Sequence, residues 1–147
     1  YQFTNVASEQ GKMAARNALC NAAEPFDDRA VPSCVYTAPA LAMVGATEDE
    51  LRQQSCTFRV ATLPFDRVER AIAEGRTAGA ARLLVGSDDQ ILGAHILAHR
   101  ADDLVAAFAL AMHAGVPAGQ VANTLMPYPT RSAAVRLLAR RAEGLAD

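Results

Sequence analysis

The order of apolar and polar residues predicts a β-hairpin followed by a long helix in the middle of the chain. Residues 80–85 and 91–97 form two short apolar runs, and the polar residues 87–90 between them are typical of a turn. Gly93, inside the second run, indicates that another part of the chain approaches this strand closely. The pattern becomes helical over residues 102–114, and Gly115 is a typical helix stop.

The central helix is unusual because every residue from Leu104 to Met112 is apolar. A helix that is apolar on all sides is expected to be buried on all sides. A small domain has few places in which a whole helix can be buried. We therefore expect a second subunit to cover the side of this helix that the chain itself leaves open.

The flanking segments predict more helices and short strands. Thr47 and Glu50 have the spacing of a capping box, which predicts a short helix after Thr47. Helices are expected over residues 6–19, 48–53, 66–74, 116–125 and 132–141, strands over 33–36 and 56–63, and an apolar run of undefined type over 41–44. Because no βαβ alternation is visible, the expected fold class is α+β, an antiparallel β-sheet flanked by helices.

Composition narrows the function classes. The length of 147 residues fits one domain with an appendage, and a net charge of -2 without a basic patch argues against nucleic-acid binding. No apolar run is long enough to span a bilayer, and no signal or transit peptide is visible. Cys20, Cys34 and Cys56 are too scattered for a disulfide framework or a zinc site, which favours a reduced, cytoplasmic location.

Residues that could carry chemistry are few. His95 and His99 are four residues apart, but on a strand they would lie roughly 13 Å from each other, so surface or interface histidines are a better interpretation than metal ligands. No glycine-rich phosphate loop is present. On residue chemistry alone, the chain is more typical of a binding or assembly module than of a complete enzyme.

The most distinctive motif is Pro-Tyr-Pro-Thr-Arg-Ser at residues 127–132. Two prolines fix the backbone, and Thr130 or Ser132 could cap the helix that follows. A loop held this firmly either stiffens the start of that helix or presents Tyr128 to a site. The residues alone leave both interpretations open and favour the first.

Four segments in order extend this picture. They are Val-Pro-Ser-Cys-Val-Tyr-Thr-Ala-Pro-Ala-Leu-Ala-Met-Val-Gly (31–45, followed by Thr47-Glu48), Ile-Leu-Gly-Ala-His-Ile (91–96), Ala-Leu-Ala-Met-His-Ala-Gly-Val (109–116) and Tyr-Pro-Thr-Arg-Ser (128–132). In order and spacing they resemble the C-terminal dimerisation domain of the pyridine nucleotide-disulfide oxidoreductases, the flavoprotein family of glutathione reductase, dihydrolipoamide dehydrogenase and mercuric reductase. The resemblance implies the fold of an FAD/NAD-linked reductase dimerisation domain and assembly as a homodimer.

The resemblance also implies a domain organisation. Residues 3–11 resemble part of the last helix of the family's FAD domain, so we expect residues 1–22 to be a terminal helix left over from that domain, 23–30 a linker and 31–147 the dimerisation domain. In the family, the backbone at the position of Thr4 lies against the flavin. The chain begins at Tyr1 and lacks the family's FAD motif, redox cysteine pair and NAD(P) domain. We therefore expect a C-terminal piece of an FAD- and NAD(P)-dependent parent that, alone, binds neither cofactor and is inactive.

The loop at residues 127–132 departs from the family pattern. Family members usually carry His-Pro-Thr-x-Ser-Glu here, in which the His is a base for the redox thiols of the other subunit and the Glu orients it. Tyr128 stands at the His position and Ala133 at the Glu position. A phenol with a pKa near 10 is a poor base at pH 7. Tyr128 is therefore the candidate site residue of the interface loop, without a role as a proton-abstracting base, and is similar to the tyrosine that helps at the metal in the mercuric reductase-like branch.

Two functions from different classes follow. In the first, the chain is the dimerisation domain of an FAD- and NAD(P)-dependent oxidoreductase, mercuric reductase-like or dihydrolipoamide dehydrogenase-like, and supplies its loop to the flavin and redox site of the partner subunit. In the second, it is a stand-alone dimerising module without catalytic activity. The mass of the natural gene product would separate them.

Overall fold

A five-stranded antiparallel sheet forms the centre of the computed structural model, which describes residues 1–145. Along the chain the strands are β1 (Ser33–Val35), β2 (Ala40–Gly45), β3 (Phe58–Pro64), β4 (Ala80–Gly86) and β5 (Ile91–Ala98). Their order in the sheet is β1-β2-β5-β4-β3. The described helices are α1 (Thr4–Cys20), α2 (Glu48–Gln53), α3 (Glu69–Ala73), α4 (Ala101–His113), α5 (Ala118–Asn123) and α6 (Ala133–Ala142). The predicted α+β class is confirmed, and the last two residues of the expected dimerisation domain, 146–147, lie outside the described residues.

The predicted central hairpin is strands β4 and β5, joined by a tight turn in which the Gly86 amide donates to the Gln90 carbonyl at 2.9 Å. The close approach expected at Gly93 is also present. A Cβ atom at this position would lie 2.1 Å from the carbonyl oxygen of Ala46. Only glycine therefore lets β5 pass the end of β2 in this register.

The two faces of the sheet have different surroundings. Helix α4 packs over β2 and β5, and α6 packs over β3 and β4, both on the same side. We name this side the helix-covered face; its buried strand residues are Ala42, Val44, Ala61, Leu63, Ala81, Leu83, Val85, Ala94, Ile96 and Ala98. The alternate residues form the open face, which consists of Val35, Leu41, Met43, Val60, Thr62, Arg82, Leu84, His95 and Leu97. The hydrophobic core thus lies on one side of the sheet.

Helix α2 lies at one corner of the open face. Its predicted capping box is confirmed, since the Glu50 amide donates to Thr47 Oγ1 at 3.3 Å and the Thr47 amide donates to Glu50 Oε2 at 2.8 Å. Glu48 pairs with Arg82 of β4 at 2.8 Å. The helix therefore covers Leu84, which is buried although it points away from the main core.

The prediction of one continuous helix over residues 66–74 was wrong, because this segment is divided in two. The structure has a 3-10 turn at Phe65–Arg67, then α3 from Glu69, with the extended residue Val68 between them. Phe65 and Val68 are both fully buried. Both side chains therefore enter the core from this interrupted segment.

Helix α1 stands apart from the sheet. Val6 is its one buried residue, whereas Leu19 is 86% exposed. Within residues 1–145, no helix combines the length and the apolar character needed to cross a bilayer.

Candidate functional site

The loop at residues 127–132 connects α5 to α6 and is held by its own hydroxyl groups. Thr130 Oγ1 donates to the Pro127 carbonyl at 2.6 Å and lies 2.7 Å from Ser132 Oγ. Neither side chain caps α6, so the expectation of a hydroxyl cap was wrong. These hydrogen bonds join residues of the loop to one another, so the loop conformation is stabilised by its own side chains.

An ion-pair network ties the loop to α3. Arg131 pairs with Glu74, and Glu74 also pairs with Arg70. Hydrogen bonds from these two guanidinium groups lower the pKa of Glu74, and the one from Arg131 contributes more than the one from Arg70. The Arg131 side chain is only 11% exposed, so this contact fixes the loop from beneath.

Tyr128 lies in the loop and is 76% exposed. Its hydroxyl group is hydrogen-bonded to the carboxylate of Glu69, which raises the pKa of Tyr128 above its ordinary value of 10.0. The phenol is therefore neutral at pH 7, able to donate one hydrogen bond but poorly suited to remove a proton.

A cleft of about 340 Å³ opens beside Tyr128. The 3-10 turn and α3 supply Arg67, Glu69 and Arg70 to one wall, and α6 supplies Arg136 to the other. The residues around Tyr128 were not predicted from the sequence, because Glu69 comes from a distant segment and neither Glu69 nor Arg136, in the helix after the loop, belongs to a motif.

The apolar helix α4 is buried on one side only. Ala101, Leu104, Val105, Phe108 and Ala111 are buried against the sheet. Ala106, Ala107 and Leu110 are exposed, and Leu110 is 68% exposed. We name these three residues the outer face of α4. The chain alone thus does not provide the all-round burial expected for this helix, and cover by a second subunit stays a prediction.

The other candidate residues lie apart from this loop. Thr4 is the exposed first residue of α1, whose N-terminus has no side-chain cap. His95 lies on the open face with its Nε2 at 3.0 Å from the Ala46 carbonyl, and His99 is exposed beyond the end of β5. Among residues 1–145, no three His, Cys, Asp or Glu side chains are grouped so that they could hold a metal. Cys20, Cys34 and Cys56 are free thiols, and burial raises the pKa of Cys34.

Sheet, helices and loop together define a domain of the type found in flavoprotein disulfide reductases. The solved structure of LpdA from Mycobacterium tuberculosis matches with a TM-score of 0.87 and 27% identity, over 96% of this chain and 31% of that one. The HOCl-induced flavoprotein disulfide reductase RclA from Escherichia coli, solved as a Cu(II) complex, matches with a TM-score of 0.85 and 26% identity, over 96% of this chain and 32% of that one.

Sequence comparison gives the particular family. The pyridine nucleotide-disulphide oxidoreductase dimerisation domain matches residues 31–139. The mercuric reductase of Bacillus cereus is 33% identical over 92% of this chain and 22% of its own length. The dihydrolipoyl dehydrogenase of Bacillus subtilis is 31% identical over 99% of this chain and 31% of its own length. The chain belongs to this dimerisation-domain family, and it spans less than a third of the curated relatives it matches.

Proposed function

We propose that this chain is the dimerisation domain of an FAD- and NAD(P)-dependent oxidoreductase and that the outer face of α4 contacts a second copy. The observation that carries this proposal is the exposed Leu110 with Ala106 and Ala107 beside it. An apolar helix face left in water is a liability on a monomer and an advantage in an interface. Membership of a dimerisation-domain family supports a second copy as the occupant.

The test replaces the exposed leucine. Leu110→Asp places a charge on the outer face of α4, where dimerisation would bury it without a partner, so the dimer should dissociate. Light scattering should give twice the chain mass of 15.5 kDa for the wild type and the single mass for the variant. Leu19→Asp is the matched control, because Leu19 is 86% exposed on α1 and the same charge there should leave the mass unchanged.

A wild-type chain that is monomeric at micromolar concentration would contradict the proposal. So would a Leu110→Asp variant that is folded by circular dichroism and still dimeric. Phe108 is not a suitable position for this test, because it is 1% exposed and faces the sheet. A charge at Phe108 would unfold the domain whatever its oligomeric state.

The second part of the proposal concerns the loop, which we assign to the flavin and redox site of the partner subunit. Tyr128 is exposed in a loop that Arg131 and Glu74 hold in place. With its raised pKa, the phenol serves as a hydrogen-bond donor to a bound oxidant or metal, rather than as a base. The mercuric reductases and dihydrolipoyl dehydrogenases among the relatives support a redox parent of one of these two kinds.

Tyr128→Phe in the full-length parent tests this role. Loss of one neutral hydrogen bond, about 0.5–1.5 kcal/mol, should reduce turnover about two- to tenfold. Tyr36→Phe is a matched control, since Tyr36 is also exposed, at 82%, and lies between β1 and β2, outside the loop and the start of α1. A many-thousandfold loss of turnover would instead mean that Tyr128 is an essential acid or base. Unchanged turnover with every electron acceptor tested would mean that the loop only stiffens the start of α6.

The proposal places residues 1–22 in the FAD domain of the parent, with 23–30 as linker and 31–147 as the dimerisation domain. The uncapped start of α1 fits contact with a flavin, because amide groups in the first helical turn, including that of Thr4, can donate hydrogen bonds to a flavin acceptor atom. FAD would supply the electron-transfer chemistry, and this chain would supply one side of its binding site. Three free thiols support a reducing compartment such as the cytoplasm.

A stand-alone dimerising module would present the same outer face of α4. The mass of the natural gene product distinguishes this second function, since a parent of the proposed kind has about three to four times the length of this chain, as its relatives do.

A further inference from the structure

The cleft beside Tyr128 contains a cation, Arg136, that the described residues 1–145 do not neutralise. Arg136 lines this cleft, and among residues 1–145 its guanidinium group makes no hydrogen bond or ion pair. Its Nε atom is shielded from water and has no acceptor in the described part of the chain. A charged group that has lost water on one side without gaining a partner attracts an anion more strongly than a fully hydrated one.

The rest of the cleft wall adds positive charge. The Nε atom of Arg67 is as far as 3.9 Å from Asp66 Oδ1, and the side chain is 71% exposed, so Arg67 is only weakly paired. Arg70 pairs with Glu74. Glu69 is the carboxylate in the lining, and its hydrogen bond with Tyr128 already engages it. Three guanidinium groups therefore face one carboxylate across the cleft.

Besides Tyr128 and Thr130, the remainder of the lining is apolar. It consists of Leu125, Met126, Pro127, Pro129, Ala133 and Leu137. The cleft volume, about 340 Å³, is within the range of small-molecule sites. A ligand that fits this lining has an apolar body and an anionic end.

We propose that this cleft binds a small organic carboxylate, with Arg136 as the residue that holds the carboxylate group. The planar donors of Arg136 can bind both oxygens of a carboxylate. Because the Glu69 carboxylate lines the same cleft, a singly charged ligand is repelled less than a phosphate dianion. Because Tyr128 lines this cleft, the inference rests on the proposed function: the carboxylate group would lie beside the redox site that the loop completes, and the lining described here, including Arg136, comes from one chain.

The experiment titrates the 147-residue chain with 3-phenylpropionate and follows backbone amide chemical shifts by NMR. Saturable shifts should centre on Thr130, Ala133 and Leu137 and should weaken as salt is added. 3-Phenylpropan-1-ol, which has the same body without the charge, and inorganic phosphate, which has charge without the body, should each bind at least tenfold more weakly. Equal binding of the alcohol would overturn the role of the anion, and equal binding of phosphate would overturn the choice of a carboxylate.

Arg136→Gln should weaken 3-phenylpropionate binding at least tenfold, because it removes a charge-assisted hydrogen bond. Arg16→Gln removes the same charge from the exposed surface of α1 and should leave binding unchanged. Unchanged binding by a folded Arg136→Gln variant would overturn the proposal. Absence of wild-type binding together with a change in oligomeric mass in Arg136→Gln would also overturn it, since Arg136 would then pair with an acidic side chain of a second copy.

Discussion

The helix-covered face and the open face of the sheet are built from alternate residues of the same strands, yet only one of them is sealed by its own chain. On the covered face Leu83 is fully buried, whereas on the open face Leu97 is 43% exposed. The covered face is a closed core whose energetics depend on packing. The open face mixes apolar side chains with Arg82, His95 and Thr62, and α2 covers one corner of it. The helix-covered face is therefore packed by this chain alone, whereas most of the open face is accessible surface.

The largest expected effect is on the free energy of unfolding, when the same leucine-to-alanine substitution is made on each face. Leu83→Ala removes buried methyl groups and leaves a cavity, so it should lower the free energy of unfolding by about 2–5 kcal/mol. Leu97→Ala is the control on the open face and should cost under about 1 kcal/mol in the same urea titration. A cost at Leu97 equal to that at Leu83 would mean that the open face is covered in solution.

A second prediction concerns the polar rim of the covered face, where Arg59 binds Asp89 and Glu143. Burial opposes ionisation of Asp89, but the hydrogen bond from the Gly119 amide and the contact with Arg59 outweigh it and lower its pKa. Because the folded-state pKa is the lower one, the stabilisation is present above the ordinary aspartate pKa and is lost as pH falls through the folded-state value.

The Asp89→Asn variant tests that rim. At pH 7 it should lose about 1–2 kcal/mol of stability, since it replaces a charge-assisted pair with a neutral one. The difference between variant and wild type should shrink as the pH is lowered below about 4. Asp66→Asn, at an exposed and weakly paired carboxylate, is the matched control. A difference independent of pH would show that the charge of Asp89 does not contribute.

The smallest effect is expected at α2, the helix on the open face. Thr47→Ala removes one half of the capping box and should cost about 1 kcal/mol. Thr57→Ala, just before β3 and outside any helix cap, should cost less. Thermal unfolding with both variants measures the difference. A Thr47 variant as stable as the Thr57 variant would mean that α2 is held mainly by the ion pair between Glu48 and Arg82.

The sequence predicted those elements whose signals are local. The hairpin β4–β5 followed from two apolar runs around a polar turn, and α2 followed from its capping box at the predicted bounds. Strand β2 was left without a type, because a short apolar run at 41–44 fits a buried strand or a buried helix equally well. Its pairing with β5, a partner far along the chain, decides the matter.

The candidate site was predictable to the same extent. Tyr128 was visible in the sequence because two prolines and a family resemblance surround it. Glu69 and Arg136 were not visible, since their relation to Tyr128 depends on how α3 and α6 pack against the sheet. The exposed side of α4 was anticipated from its composition, whereas which residues face outward required the orientation of the helix.

The bond network at Arg59 has a consequence for the order in which the domain is assembled. Arg59 binds the Ala142 carbonyl at 2.8 Å and the Glu143 carboxylate, and thus joins β3 to the end of α6. A chain emerging from the ribosome can pair β4 with β5 well before residue 143 is available. The covered face is therefore completed only after α6 and Glu143 have been synthesised. Until then, the apolar strand residues of the growing chain are exposed and are a site for chaperone binding.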